Sequence, residues 1–148
     1  MEEKHTIILS AFFMTDTLLV LNDDSVQHEK ANKWLQKKLG KAGVLYGFHR
    51  LVFPVNIGNM HWGLCNADLH SMELRYFDSL NFGGARYLAL FKEFLDAKFP
   101  VGHTDCMTRR TTNWKLVRGL SCSSYCLVQN NSVDCGVYML HVILEIWR

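Results

Sequence analysis

The chain is expected to fold as one α+β domain over residues 1–148, with helices flanking a central mixed or antiparallel sheet. Three observations predict this. Half of the 148 residues are hydrophobic and only two are proline, which is enough apolar material for one real core and too ordered a composition for a disordered chain. Strand-like runs cluster between residues 50 and 77 instead of alternating with helices. Helical periodicity is confined to segments on either side of that cluster.

Residues 6–14 are apolar and lean toward a strand or a short helix. Leu18 to Leu21 leads into Asn22-Asp23-Asp24-Ser25, which are helix-capping residue types, so a helix is expected from Ser25 to Leu39. Val26, Ala31, Trp34, Leu35 and Leu39 form its apolar stripe. Lys30, Lys33, Lys37 and Lys38 form its solvated face, and Gly40 and Gly43 end it. Three strands follow: Arg50–Val55, Trp62–Ala67 and, after a turn at 68–71, Met72–Phe77. Gly83-Gly84 breaks the chain. Arg86 to Phe99 is amphipathic, with Leu88, Phe91, Leu95 and Phe99 on one side, and Pro100 stops it. Trp114–Val117 and Tyr125–Val128 read as two further strands. A last helix is expected from Cys135 to the end, with Val137, Leu140, His141, Leu144 and Trp147 as its buried face.

Several function classes are disfavoured. Net charge is +2 with both signs interspersed, and no basic run is interleaved with aromatics, so nucleic acid is not the expected partner. No apolar run reaches membrane-spanning length, and the N-terminus does not read as a signal peptide. The five cysteines are Cys65, Cys106, Cys122, Cys126 and Cys135. An odd count without a signal peptide suits free thiols in a reducing compartment, hence an intracellular protein of cytoplasm or nucleus, including those of a host cell. His103, Cys106, Cys122 and Cys126 are a conceivable zinc set. A strand through Cys122 and Cys126, however, would hold those two sulfurs too far apart to grip one ion easily, so no metal or other cofactor is expected. Asn130-Asn131-Ser132 is formally a glycosylation sequon, read here as accidental.

The chemistry centres on Gln129 to Tyr138, where a polar loop ends in Cys135 and an apolar run begins. Cys135 should therefore occupy the first turn of a helix. Backbone N–H groups there lack partners and the dipole is positive, an environment that favours a thiolate. The same stretch also fits a small buried cysteine at a helix start. A nucleophilic cysteine needs a base, and the base an orienter. His61 opens a strand directly after the Gly58-Asn59-Met60 loop, and Asp78 closes the next strand. If those strands pair through the turn at 68–71, the two side chains meet at one end of the hairpin. The carboxylate would then hold one imidazole nitrogen and leave the other for Cys135. The Gln129 side-chain amide and the Cys135 backbone N–H would form an oxyanion hole. Taken singly, His61 also fits a core or surface histidine, Asp78 a turn residue and Gln129 a solvated loop side chain.

His61-Trp62, Tyr76-Phe77-Asp78-Ser79-Leu80 and Gln129-x-Asn131-x-x-Asp134-Cys135-Gly136-Val137 together resemble the ubiquitin-like-protein-specific cysteine proteases. That family processes and removes SUMO and related modifiers and is related to the adenovirus protease. Phe53-Pro54-Val55-Asn56 and Leu21-Asn22-Asp23 also fit, so the resemblance covers about residues 18–147. It implies a papain-like-superfamily domain with His61 as base, Asp78 as orienter, Cys135 as nucleophile and Gln129 as oxyanion donor. It further implies substrate contacts at Trp62, Val20, Asn22, Asp23, Asn131 and Asp134, and Trp62 as a wall of the channel for a Gly-Gly tail. The implied partner is a ubiquitin-like modifier or its conjugates, SUMO-like or ubiquitin, met by a monomer. Two positions depart from the family pattern: Val20 stands where it usually has Trp, and Ser132 where it usually has Gly. The chain also stops where family members commonly continue with more helix. Two rival readings use the same groove: an acetyltransferase, to whose coenzyme A site Arg109, Arg110 and Lys115 would contribute, and a non-catalytic module that binds a ubiquitin-like protein.

Overall fold

The computed structural model describes residues 6–10, 13, 19–20, 23–39, 48–81, 84–98, 114–117 and 128–147. Along the chain these give β1 (Thr6–Ile8), β2 (Leu19–Val20), β3 (Asp23–Val26), α1 (His28–Leu39), β4 (Arg50–Ile57) and β5 (His61–Asp68). They continue with β6 (Glu73–Phe77), α2 (Ala85–Lys98), β7 (Lys115–Val117) and α3 (Cys135–Trp147).

The sheet has the strand order β1-β4-β5-β6-β7. Its centre is the antiparallel meander β4-β5-β6, in register from Arg50↔Asp68 to Ile57↔His61 and from Leu64↔Phe77 to Asp68↔Glu73. At the two edges β1 joins β4, and β7 joins β6, in parallel. The sheet is therefore mixed. Pro54 sits inside β4 without breaking it, because β1 pairs only with Arg50 to Val52. Beyond Val52 the missing proline N–H deprives no described neighbour of a donor.

Side-chain alternation divides β4, β5 and β6 between two cores. Leu51, Phe53, Val55, Cys65, Ala67, Leu74 and Tyr76 face α1 and α2, where Ala31, Leu35, Leu88, Phe91, Phe94 and Leu95 are buried against them. Phe53 meets Phe91 edge-on, with ring centroids 4.2 Å apart at 82°. Such a pair contributes about 0.5–1.5 kcal/mol beyond its buried area. The other face carries Val52, Leu64 and Phe77, covered by Val142 and Ile146 of α3. With both faces covered, β4 and β5 are buried on consecutive residues instead of alternating with exposed ones.

Two expectations need correction. The capping residues 22–25 do not start α1: Asp23–Val26 is a strand that folds back on Leu19–Val20. The helix begins at His28, with the Gln27 carbonyl accepting its first bond from the Ala31 N–H at 3.0 Å. A local hairpin has displaced the cap by a few residues. The stripe Val137, Leu140, Leu144 and Trp147 is not the buried face of α3, since these four are 56–65% exposed. The helix is apolar around most of its circumference, so periodicity alone does not choose a face. Packing of Val142 and Ile146 on β5 and β6, and a 2.8 Å bond from Arg50 Nη1 to the Ile146 carbonyl, set its rotation. Of the strand or short helix expected within residues 6–14, the structure has a strand at Thr6–Ile8. Within the expected strand Tyr125–Val128, Val128 is not in a strand and the rest lies outside the described residues. Gly40, Gly43, Phe99 and Pro100 also lie outside them.

Candidate active site

The β4–β5 connection is a tight turn. Gly58 and Asn59 have φ of 58° and 57°, and the Met60 N–H donates to the Ile57 carbonyl at 3.1 Å. Left-handed backbone at both central positions matches the twist of the flanking strands, and Gly and Asn tolerate it best. The turn delivers His61 to the first position of β5. Asp78 is the first residue past β6, at the same end of the hairpin.

The two side chains meet, His61 Nε2 lying 2.7 Å from Asp78 Oδ1. They retain only 8% and 3% of side-chain exposure, so solvent screens the pair weakly. The Leu80 N–H also donates to Oδ1 at 2.9 Å, and the Asn81 N–H closes the turn on the Asp78 carbonyl at 3.0 Å. An ionised carboxylate only accepts, so Nε2 carries the proton and Nδ1 of the neutral ring is the basic nitrogen. Asp78 thus sets the tautomer of His61.

Tyr76 backs this pair. Its ring crosses β5 at Gly63, where a Cβ would stand 2.2 Å from the phenol oxygen. Only glycine leaves that path open. Burial foremost, then the neighbouring Asp78 charge, push the Tyr76 phenol well up, so it remains a protonated donor.

Cys135 is the first residue of α3 and is buried. Asp134 holds the capping position, its carbonyl accepting from the Tyr138 N–H at 3.0 Å. The loop before it is organised by Asn131. Oδ1 accepts from the N–H groups of Val133 and Asp134, each at 3.0 Å, and Nδ2 donates to Asp134 Oδ2 at 2.7 Å. Asn131 and Asp134 are thus bonded to each other and shape the loop. A Cβ on Gly136 would lie 3.6 Å from Trp62 Cδ1, which places the head of α3 against the residue next to His61. A small cleft is lined by Trp62, Phe77, Asp78, Ser79, Tyr138, Met139 and Val142. The cysteine-bearing helix end and the His–Asp pair therefore border one cleft.

Gln129 is buried near the same turn. Its N–H donates to the Ser79 carbonyl at 3.0 Å, Ser79 Oγ donates to Gln129 Oε1, and Gln129 Nε2 donates to the Asn131 carbonyl at 2.6 Å. By contrast, Cys65 is fully buried within the larger core, and burial pushes its thiol well up, which makes it an inert packing residue.

Trp62 and Asp78 thus line one cleft; His61 is bonded to Asp78, Gln129 to Ser79 of the lining, and Cys135 heads the helix whose Tyr138, Met139 and Val142 complete it. Val20 and Asp23 pair with each other in the β2–β3 hairpin, and Asn22 lies outside the described residues. So do His103, Cys106, Cys122 and Cys126, and among the described residues no cluster of three potential metal ligands occurs. Arg109 and Arg110 also lie outside; Lys115 is bonded at 2.8 Å to Glu73. Among the described residues, no helix is long and apolar enough to cross a membrane. The sequence reading passed over Ser79 and Tyr76 as site residues, although both stand in the quoted Tyr76–Leu80 motif. Their partners are set by the fold, and nothing local marks them.

The model of the Ulp1 protease family, C-terminal catalytic domain, matches residues 2–147. Among solved structures, the C-terminal Ulp1 protease domain in complex with Smt3, the yeast ortholog of SUMO, aligns with a TM-score of 0.72 at 20% identity, over 97% of this chain and 57% of that one. A de-sumoylating protease aligns with a TM-score of 0.71 at 20% identity, over 99% of this chain and 53% of that one. SUMO protease Ulp1 with its catalytic cysteine oxidised to a sulfonic acid aligns with a TM-score of 0.67 at 19% identity, over 97% and 58%. This chain therefore spans little more than half the length of these solved chains. No curated protein is a significant match in sequence.

Proposed function

The chain belongs to the Ulp1 protease family, and on that premise we propose that it is a thiol protease cutting after the Gly-Gly tail of a SUMO-type modifier. The observation that carries the proposal is the buried 2.7 Å bond between His61 and Asp78, at a cleft bordered by the helix end that bears Cys135. A histidine fixed in one tautomer beside a cysteine at the positive end of a helix is the equipment of a cysteine peptidase.

In this reading His61 Nδ1 takes the Cys135 proton and the thiolate adds to the carbonyl that follows the Gly-Gly pair. The carbonyl oxygen becomes an oxyanion, held by the Gln129 amide and the Cys135 N–H. The imidazolium, stabilised by Asp78, gives its proton to the leaving amine as the C–N bond breaks, and a thioester remains. His61 then deprotonates a water, which adds to the thioester and releases the acid and the thiol. No step calls for a cofactor. Trp62 forms one wall of the tail channel, and a slot closed on both faces of the backbone selects glycine, which has no Cβ. In the same reading Val20, Asn22, Asp23, Asn131 and Asp134 are substrate contacts by their family positions, and Val20 puts a smaller side chain where the family usually has Trp. The similarity to solved SUMO proteases favours a SUMO-type modifier, and a reducing compartment suits the free thiol.

The test is a panel of C-terminal electrophile probes carrying SUMO, other ubiquitin-like modifiers and ubiquitin. A SUMO-type probe should form a covalent adduct at Cys135, lost in Cys135→Ala. Reaction with ubiquitin alone would overturn the modifier assignment. Silence toward every probe from a folded protein would overturn the protease reading.

A further inference from the structure

A carboxamide works as an oxyanion donor only when its N–H side faces the reacting centre. Its oxygen there would repel the charge it must stabilise. Oxygen and nitrogen ends have nearly the same shape, so packing alone distinguishes them poorly; hydrogen-bond partners have to decide.

At Gln129 they do. The Asn131 carbonyl can only accept, so it requires nitrogen at its end of the amide, 2.6 Å away. The opposite end, Oε1, accepts from Ser79 Oγ. Turned over, the amide would set its oxygen against the Asn131 carbonyl and lose that bond, whereas Ser79 Oγ, which can also accept, would still hold the other end; Asn131 therefore selects the orientation and Ser79 anchors it. The main chain adds a further tie, the Gln129 N–H to the Ser79 carbonyl at 3.0 Å. Both residues are buried, at 5% exposure for Ser79 and 4% for Gln129, so water does not compete for these groups. Nε2 carries two N–H groups and Asn131 takes one, which leaves a second for a ligand.

Ser79 also directly follows Asp78. The turn that it shares with Asp78 is pinned by the bonds from Leu80 and Asn81 to Asp78. One turn after β6 therefore holds the imidazole with one residue and the amide with the next.

We infer that Ser79 is a positioning residue that anchors the Gln129 amide, in the orientation the Asn131 carbonyl selects, with its N–H toward the oxyanion and ties it to the turn that orients His61. The inference rests on the proposed role of Gln129 as oxyanion donor. An oxyanion donor contributes about 10²–10³ in kcat, and releasing its orientation forfeits a large part of that factor.

Steady-state kinetics of Ser79→Ala, Ser79→Thr, Gln129→Ala and the Ser79→Ala/Gln129→Ala double variant test it, on a modifier substrate with a fluorogenic leaving group. Ser79→Ala should lower kcat by about 10–100-fold with KM nearly unchanged, and weaken a Gly-Gly aldehyde inhibitor, whose adduct with the thiol is tetrahedral, by a similar factor. Ser79→Thr keeps the hydroxyl and should restore most of kcat. In the Gln129→Ala background, Ser79→Ala should cost nothing further. Ser79→Cys, which keeps the volume but donates weakly, replaces Ser79→Ala if the alanine variant does not fold. A slow Gln129→Ala enzyme beside a normal Ser79→Ala enzyme would overturn the inference alone. So would an undiminished Ser79→Ala effect in the double variant, or an effect on KM and melting temperature without one on kcat. A fully active Gln129→Ala enzyme would instead overturn the assignment of Gln129, and the inference with it.

Discussion

Replacing Asp78 by asparagine isolates the charge from the geometry. In the protein, the His61 Nε2–H and the Leu80 N–H both donate to the same oxygen, Oδ1, at 2.7 and 2.9 Å. The amide oxygen of the replacement can stay there and keep both bonds. Its NH₂ group would take the place of Oδ2, which is buried. The histidine tautomer therefore survives, and what disappears is the negative charge facing the imidazolium. With 2.7 Å between nitrogen and oxygen, the charge centres lie about 4 Å apart, worth about 4 kcal/mol at an effective dielectric of about 20. At about 1.4 kcal/mol per decade this is about 10³ in rate. It falls below the ~10⁴ seen when the equivalent change in a serine-protease triad also imposes the wrong tautomer. The assay is kcat/KM on a modifier substrate, with circular dichroism and a thermal melt to establish that the fold is kept. A loss under about tenfold in a folded variant would refute the role given to Asp78.

Two further outcomes follow from other parts of the molecule. Iodoacetamide on the native protein should label Cys135 and leave Cys65 unmodified, read by peptide mapping, because Cys65 is wholly buried and its thiol is pushed up; labelling of Cys65 at a comparable rate would contradict this. Glu73 joins β6 to β7, accepting from Lys115 Nζ at 2.8 Å and Arg75 Nε at 3.0 Å, and these partners, Lys115 foremost, hold its carboxyl below the ordinary 4.5. A depressed carboxyl stabilises the fold above its unfolded pKa and ceases to as pH falls through the folded one. Glu73→Gln should therefore lower the melting temperature at pH 7 by about 1–4 °C, the scale of an exposed ion pair. The gap from wild type should close progressively below pH 4.5, and a gap unchanged at pH 3 would refute the assignment.

Much of the fold was readable along the chain because its signals are local. The meander at residues 50–77, α2 and the start of α3 at Cys135 fall within a residue or two of expectation. Alternation, turn residues and a cysteine at the head of an apolar run are all short-range features. The pairing of His61 with Asp78 was also deducible, because one hairpin register brings the two together. What failed locally failed for a physical reason. Asp23, Asp24 and Ser25 carry capping chemistry, but they lie in a strand whose backbone pairs with Leu19–Val20. The edge strand β1 pairs with β4, so its strand character depends on residues far along the chain.

The amino-acid order by itself determined the kinds of element, the side-chain types of the candidate site and the positions at which they stand. Each of these follows from nearest neighbours and from which side chains can ionise. The tertiary structure alone decided the rotation of α3, whose apolar surface runs around nearly the whole helix until Val142 and Ile146 dock on the sheet. It alone also decided that Ser79 meets Gln129 across fifty residues of chain, because a hydroxyl carries no mark of its partner until folding excludes water from both.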